Sequence, residues 1–174
     1  DDLLDNPTSK EWLMIQSPIR QLGGVVPYIE ANEIDDLANR ASAIDGEIVG
    51  PLDLDQLCRL EHQKCDLKVR RWAEALSPTV PTNVLGRFLF EENTIELFDG
   101  HAKSPTQMRF TLAHELGHHF LGHARYLSLD TYDEDDFEGQ VGHLLSLTDI
   151  ARLEWQANRF AACLLMPRRQ FLHQ

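Results

Sequence analysis

Basic residues and cysteines are scarce in this chain, and no long apolar run occurs in it. Lys and Arg number 16 against 28 Asp and Glu, a formal net charge of −12 over 174 residues. Direct binding of nucleic acid is not expected on that balance, because phosphate contacts need a basic surface. A basic protein partner suits it better. The 3 cysteines cannot all pair with one another, which favours reduced thiols and a cytoplasmic setting. With no stretch of about 20 apolar residues and no secretory leader, no membrane role is expected. Residues 1–20 are polar, marked by proline and begin without methionine, and they read as an N-terminal extension or linker. Residues 21–174 suffice for one globular domain with a sizeable core.

Chemistry enters at His114-Glu115-Leu116-Gly117-His118, an H-E-x-x-H motif. Two histidines four apart lie one turn apart on a helix of about 3.6 residues per turn, so both rings can reach one metal ion. Glu115 can reach a water on that metal without being a ligand. The surroundings read as a helix over 104–122. Ser104 serves as N-cap, Pro105 takes the first helical position and Gly122 stops it. Phe110, Ala113 and Leu116, continued by Phe120 and Leu121, form its buried side.

A zinc hydrolase needs a third protein ligand and a fourth position for water. The helix beginning near Thr148 or Asp149, either of which can cap it, and ending before Pro167 offers Glu154. Ile150, Leu153, Ala157, Phe160, Ala161 and Leu164 form its apolar stripe. Glu154 is expected beside that stripe, where an unpaired carboxylate is expensive to bury and a metal removes the expense. Asn158, one turn on, is placed to hold a liganding histidine from behind.

The run Arg109-Phe110-Thr111-Leu112-Ala113-His114-Glu115-Leu116-Gly117-His118, followed by Glu154, Ala157-Asn158, Phe160-Ala161-Ala162 and Leu164-Leu165-Met166-Pro167, resembles the ImmA/IrrE metallopeptidases. The resemblance covers about residues 84–167. It implies His114, His118 and Glu154 as zinc ligands and Glu115 as general base. Where relatives often carry a further Glu this chain has Gln156, which leaves the ligand role to Glu154. It also implies an α+β, zincin-like fold: a small sheet with a hairpin packed on the active-site helix and on a second, ligand-bearing helix. The expected function is zinc-dependent cleavage of a regulatory protein, a helix-turn-helix repressor or an antitoxin. The rival is a toxin or regulatory module that acts by binding its partner, with a structural zinc. Manganese or iron can also serve a His-His-Glu site.

Other features are weighed beside these. His119 and His123 form a second i, i+4 pair, lacking a carboxylate at the general-base position and broken by Gly122; exposed polar residues are the plain reading. Cys58, His62 and Cys65 offer three soft donors with no clear fourth. His101, His143, Tyr126 and Tyr132 are each able to stabilise an oxyanion. Residues 84–90 and 94–98 read as a hairpin turning at Asn93, with 95–98 or a neighbouring strand as the edge for an extended substrate. Helices are expected over 28–43 and 52–62, the latter capped by Asp53 or Asp55. Residues 66–76 are ambiguous, and 77–83 form a proline-rich loop. The acidic stretch 130–138 reads as a solvated loop or a docking surface for a basic substrate.

Overall fold

The computed structural model describes residues 26–43, 52–73, 80–127 and 145–166. Residues 1–20, the acidic stretch 130–138, His143, Tyr132 and Pro167 lie outside them. Helix α1 spans Ala31–Ser42, opened by a capping box between Glu30 and Glu33. Helix α2 spans Leu54–Cys65, and the Asp53 carboxylate accepts from the Asp55 and Gln56 amides at its start. The ambiguous segment is a strand, β1 (Lys68–Trp72). The hairpin forms as β2 (Gly86–Leu89) and β3 (Thr94–Phe98), with Asn93 at φ 48° in the turn.

The sheet order is β1-β3-β2, with β1 parallel and β2 antiparallel to β3. Thus β3 is central and both of its edges are used. Ile95 to Phe98 therefore cannot accept a substrate strand, and among the described residues the outer edges of the sheet are those of β1 and β2. Every residue of β3 is buried. Ile95 and Leu97 enter the main core, while Glu96 is buried on the opposite face, bonded by Arg70, Trp72 and Arg87.

Helix α3 (Pro105–Phe120) begins as its sequence implies: Ser104 accepts from the Gln107 amide and proline follows. Its core face is Met108, Leu112, Ala113 and Leu116; Phe110 lies two positions off that row and is 40% exposed. Gly122 at φ +66° ends the segment in the left-handed conformation that glycine adopts without strain. A short helix, α4 (Ala124–Leu127), follows.

Helix α5 (Leu147–Leu165) starts earlier than expected. Ser146 caps it, and Asp149 acts from the third position by reaching back to the Ser146 amide and hydroxyl. Asp149 also accepts from the Val26 amide, and Gln156 Nε2 donates to Pro27 O, so the segment before α1 is tied along α5. Arg159 grips Asp35 of α1 with two bonds of 2.6 Å. Leu153, Ala157, Phe160, Ala161 and Leu164 form the buried stripe, whereas Ile150 is 38% exposed. Helices α3 and α5 meet at Gly117, where an added Cβ would stand 2.9 Å from Ala157 O. Only glycine permits that approach, and it brings the histidines of α3 to the polar edge of α5. Phe160, stacked on Phe120 at 5.3 Å, and Leu116 seal the contact; burying each such side chain contributes roughly 1.5–3 kcal/mol.

Candidate metal centre

Helical spacing brings His114 and His118 onto one side of α3, and the Gly117–Ala157 approach sets Glu154 opposite them. His114 Nε2 and His118 Nε2 are 3.0 Å apart, and they lie 3.3 and 3.5 Å from the two Glu154 oxygens. A cation held by nitrogen and oxygen at about 2.0–2.2 Å needs tetrahedral donor edges of about 3.3–3.5 Å, so the donor set fits one metal ion. The Glu154 side chain is 52% exposed. Its placement thus owes nothing to a cost of burial; rotation along α5 puts it at the rim, with Asn158 one turn behind.

Each ring is oriented from its far side. Asn158 Oδ1 faces His114 Nδ1 at 3.1 Å, and a hydrogen on Nδ1 leaves the Nε2 lone pair toward the centre. Behind His118 runs a longer chain. Gln156 Nε2 donates to Pro27 O at 2.9 Å, so Gln156 Oε1 accepts from His123 Nε2–H at 3.0 Å. His123 Nδ1 then accepts from His118 Nδ1–H at 2.9 Å. The pattern of donors assigns the tautomers, and it frees His118 Nε2 for a metal.

Electrostatics agree with neutral rings in this chain. Burial, with the neighbouring His118, pushes His123 down to about 3. Burial and then His114 push His118 down to about 4. Burial opposes charge on His114 too, but the bond it donates to the Glu154 carboxylate, then the charge of Glu115 and the contact with Asn158, outweigh it and raise that ring. Glu115 is raised to about 7, chiefly by burial and then by Glu154, against the pull of His114. It lies against the sheet: a Cβ on Gly86 of β2 would be 3.3 Å from Glu115 Oε1 and 2.6 Å from Thr111 Cγ2. The edge strand and the acid/base candidate are therefore neighbours.

The other sequence candidates separate. His123 is 1% exposed, not a surface residue, and belongs behind His118. His119 turns to Glu61 and Cys65 of α2. The Cys58, His62 and Cys65 trio does not converge: burial pushes the Cys58 thiol up to about 12, and His62 bonds Leu67 O. His101 bonds Val84 O and stacks on Phe98, and Tyr126 packs against Val26, Leu145 and Leu153. Sequence reasoning missed His123 and Gln156 as supports. The polar Gln156 within a buried stripe was the available signal.

Residues 81–174 match the family model of the IrrE N-terminal-like domain, a peptidase family. This chain belongs to that family. Its fold is also that of a solved Mycobacterium tuberculosis transcriptional regulator, at 24% identity and a TM-score of 0.51, with 83% of this chain and 46% of that chain covered. The IrrE-like chain thus spans less than half of that regulator's length. No curated protein matches it. Membership makes protease chemistry the expectation for the cluster on α3 and α5, and the mixed α+β architecture with its three-stranded sheet is compatible with a zincin-like peptidase domain. Among the described residues no helix is long and apolar enough to cross a membrane.

Proposed function

We propose that the chain is a metal-dependent endopeptidase in which His114, His118 and Glu154 hold zinc, Glu115 is the general base, and Asn158 positions His114. The convergence of the three donors beside Glu115, in a chain of this peptidase family, carries the reading. Bound zinc supplies a Lewis acid that polarises the scissile carbonyl and acidifies water. Beside a bound cation Glu115 would ionise more readily, against its burial. As carboxylate, Glu115 accepts a proton from the attacking water and returns it to the departing amine. The side of β2 away from β3, unpaired among the described residues, receives the substrate as an added strand, because Gly86 sits at Glu115. A helix-turn-helix repressor or antitoxin is the proposed substrate class, in keeping with the chain's net charge of −12. Incubation of such a repressor with wild type and with Glu115→Gln, read by intact-mass spectrometry, tests this. One defined cut by wild type, slowed about 10²–10⁴-fold in the variant with zinc retained, is expected. Equal cutting by the variant would remove Glu115 from the mechanism.

A further inference from the structure

His119 follows His118 directly, yet its ring serves another side of α3. Its Nε2 lies 3.2 Å from Glu61 Oε2 and 3.7 Å from Cys65 Sγ, and Cys65 Sγ lies 3.9 Å from the same carboxylate oxygen. Glu61 and Cys65 are one turn apart on α2, so the last turns of two helices supply the three atoms. A tetrahedral cation with thiolate at about 2.3 Å and nitrogen or oxygen at about 2.0 Å requires donor edges of about 3.3–3.6 Å. The observed triangle lies within a few tenths of an ångström of that figure.

The surroundings are arranged around these donors. Lys64 Nζ takes the other Glu61 oxygen, Oε1, at 3.2 Å, which leaves Oε2 turned to His119 and Cys65. Asn93 Nδ2 donates to Cys65 O at 2.8 Å and ties the end of α2 to the hairpin turn. The Glu61 side chain is 9% exposed and that of His119 16%, while Cys65 stands on the solvent side. A fourth corner therefore opens to water. Without a cation the trio is held by the His119–Glu61 ion pair, with the Cys65 sulfur beside it. His119 Nε2 carries at most one hydrogen and faces both sulfur and carboxylate, and the single thiol hydrogen of Cys65 is directed to Glu61 O at 3.1 Å. A cation satisfies all three donors at once.

We propose that Glu61, Cys65 and His119 form a second metal site, separate from the His114–His118–Glu154 centre, for a borderline-soft divalent cation such as zinc. A thiolate, an imidazole and a carboxylate are the donors such an ion takes. Bound there, it pins the end of α2 to the end of α3, one residue from His118. The site stands on its own donors and does not depend on the peptidase reading.

Cobalt(II) titration of the whole reduced, metal-stripped chain tests it, because only a sulfur ligand gives thiolate-to-cobalt charge transfer in the near ultraviolet. The expected result is two equivalents bound and a clear charge-transfer band. Cys65→Ser loses the band and one equivalent, with circular dichroism unchanged; Cys58→Ser keeps both. His119→Gln weakens the sulfur site at least ten-fold. His118→Ala keeps the band while losing the other equivalent, so failure of one site is told apart from failure of the other. Absence of the band in wild type with excess cobalt overturns the proposal and leaves an ion pair with a thiol beside it. A band that survives Cys65→Ser, or that disappears with His118→Ala, overturns it as well.

Discussion

His118 and His119 are neighbours in the chain and strangers in space. One helical step of about 100° sends the first ring to α5 and the second to α2. His118 meets Glu154 and, through its other nitrogen, His123; His119 meets Glu61 and Cys65. Identical side chains thus acquire different chemistry from the helix each one faces. The i, i+4 rule holds for His114 and His118 because α3 is unbroken between them. It fails for His119 and His123, since α3 ends at Phe120 and the left-handed Gly122 sends the chain back. The His123 amide then bonds His118 O at 3.0 Å, which sets its ring behind His118 rather than beside His119.

The comparison breaks most openly under paired substitution. His118→Ala removes a proposed ligand, and turnover is expected to vanish. Zinc affinity at that centre should fall by more than the roughly 10–100-fold that loss of an outer partner costs. His119→Ala should leave the first metal and its turnover in place. Calorimetric zinc titration beside a cleavage assay reads both. Equal loss in the two variants would mean that the two sides of α3 are one unit.

Next in size is the contact that presents His118 to α5. Gly117→Ala places a methyl group 2.9 Å from Ala157 O and 3.0 Å from its Cα, so backbone must move. Overpacking of this kind costs about 1–3 kcal/mol, offset in part by the roughly 1 kcal/mol that alanine gains over glycine in a helix. Denaturant unfolding should show a net loss, together with weaker metal binding at the His114–Glu154 centre and no change at Cys65. A variant as stable as wild type with full affinity would show that the approach of α3 to α5 is slack.

Gln156→Leu tests the chain of rings alone. It leaves His123 Nε2 and Pro27 O without their amide, and the first centre should lose about 10–100-fold in zinc affinity while keeping its ligands. The second cluster should be indifferent. An unchanged affinity would mean that His118 needs no help in choosing its tautomer.

What the sequence reveals follows the same division. Local patterns are legible: Ser104 as a cap, the Asp53 or Asp55 alternative that the structure decides for Asp53, Asn93 in the hairpin turn, and the shared side of His114 and His118 each depend on residues within one turn. Glu154 and Asn158 are found through resemblance and helical spacing, and the structure sets them opposite His118 and behind His114. The reasoning from buried charge fails, since Glu154 is half exposed. Long-range pairing is not legible. Nothing local to Lys68–Trp72 says that it runs parallel to Thr94–Phe98 and makes that strand the centre of the sheet. Likewise Glu61 looks like any polar residue on α2 until α3 is laid against it. The start of α5 corrects the expectation of Thr148 or Asp149 as its cap: Ser146 offers the same chemistry earlier and takes that place, with Asp149 as its reciprocal partner from inside the helix.

A last comparison, confined to stability, separates metal-capable carboxylates from one that the chain satisfies unaided. Glu96 is buried like Glu61, at 2% exposure against 6%, but its partners are two guanidinium groups and an indole. Burial tends to raise its carboxyl; bonds from Arg87, Trp72 and Arg70 outweigh that and hold it below the ordinary range. With the folded value depressed, the folded chain binds fewer protons than the unfolded chain as pH falls. The contribution of Glu96 to stability is therefore complete above the ordinary carboxylate pKa and is lost as pH drops through the lowered folded one. Glu96→Gln should cost about 1–3 kcal/mol at neutral pH, the range for disrupting buried bonds to charged partners. The gap between the two melting temperatures should narrow on acidification and stay the same with a chelator present. At Glu61 the chelator should matter, since Lys64 holds only Oε1 while Oε2 faces two groups, His119 and Cys65, that can share a bound cation with it. A chelator-sensitive gap at Glu96 would erase that distinction.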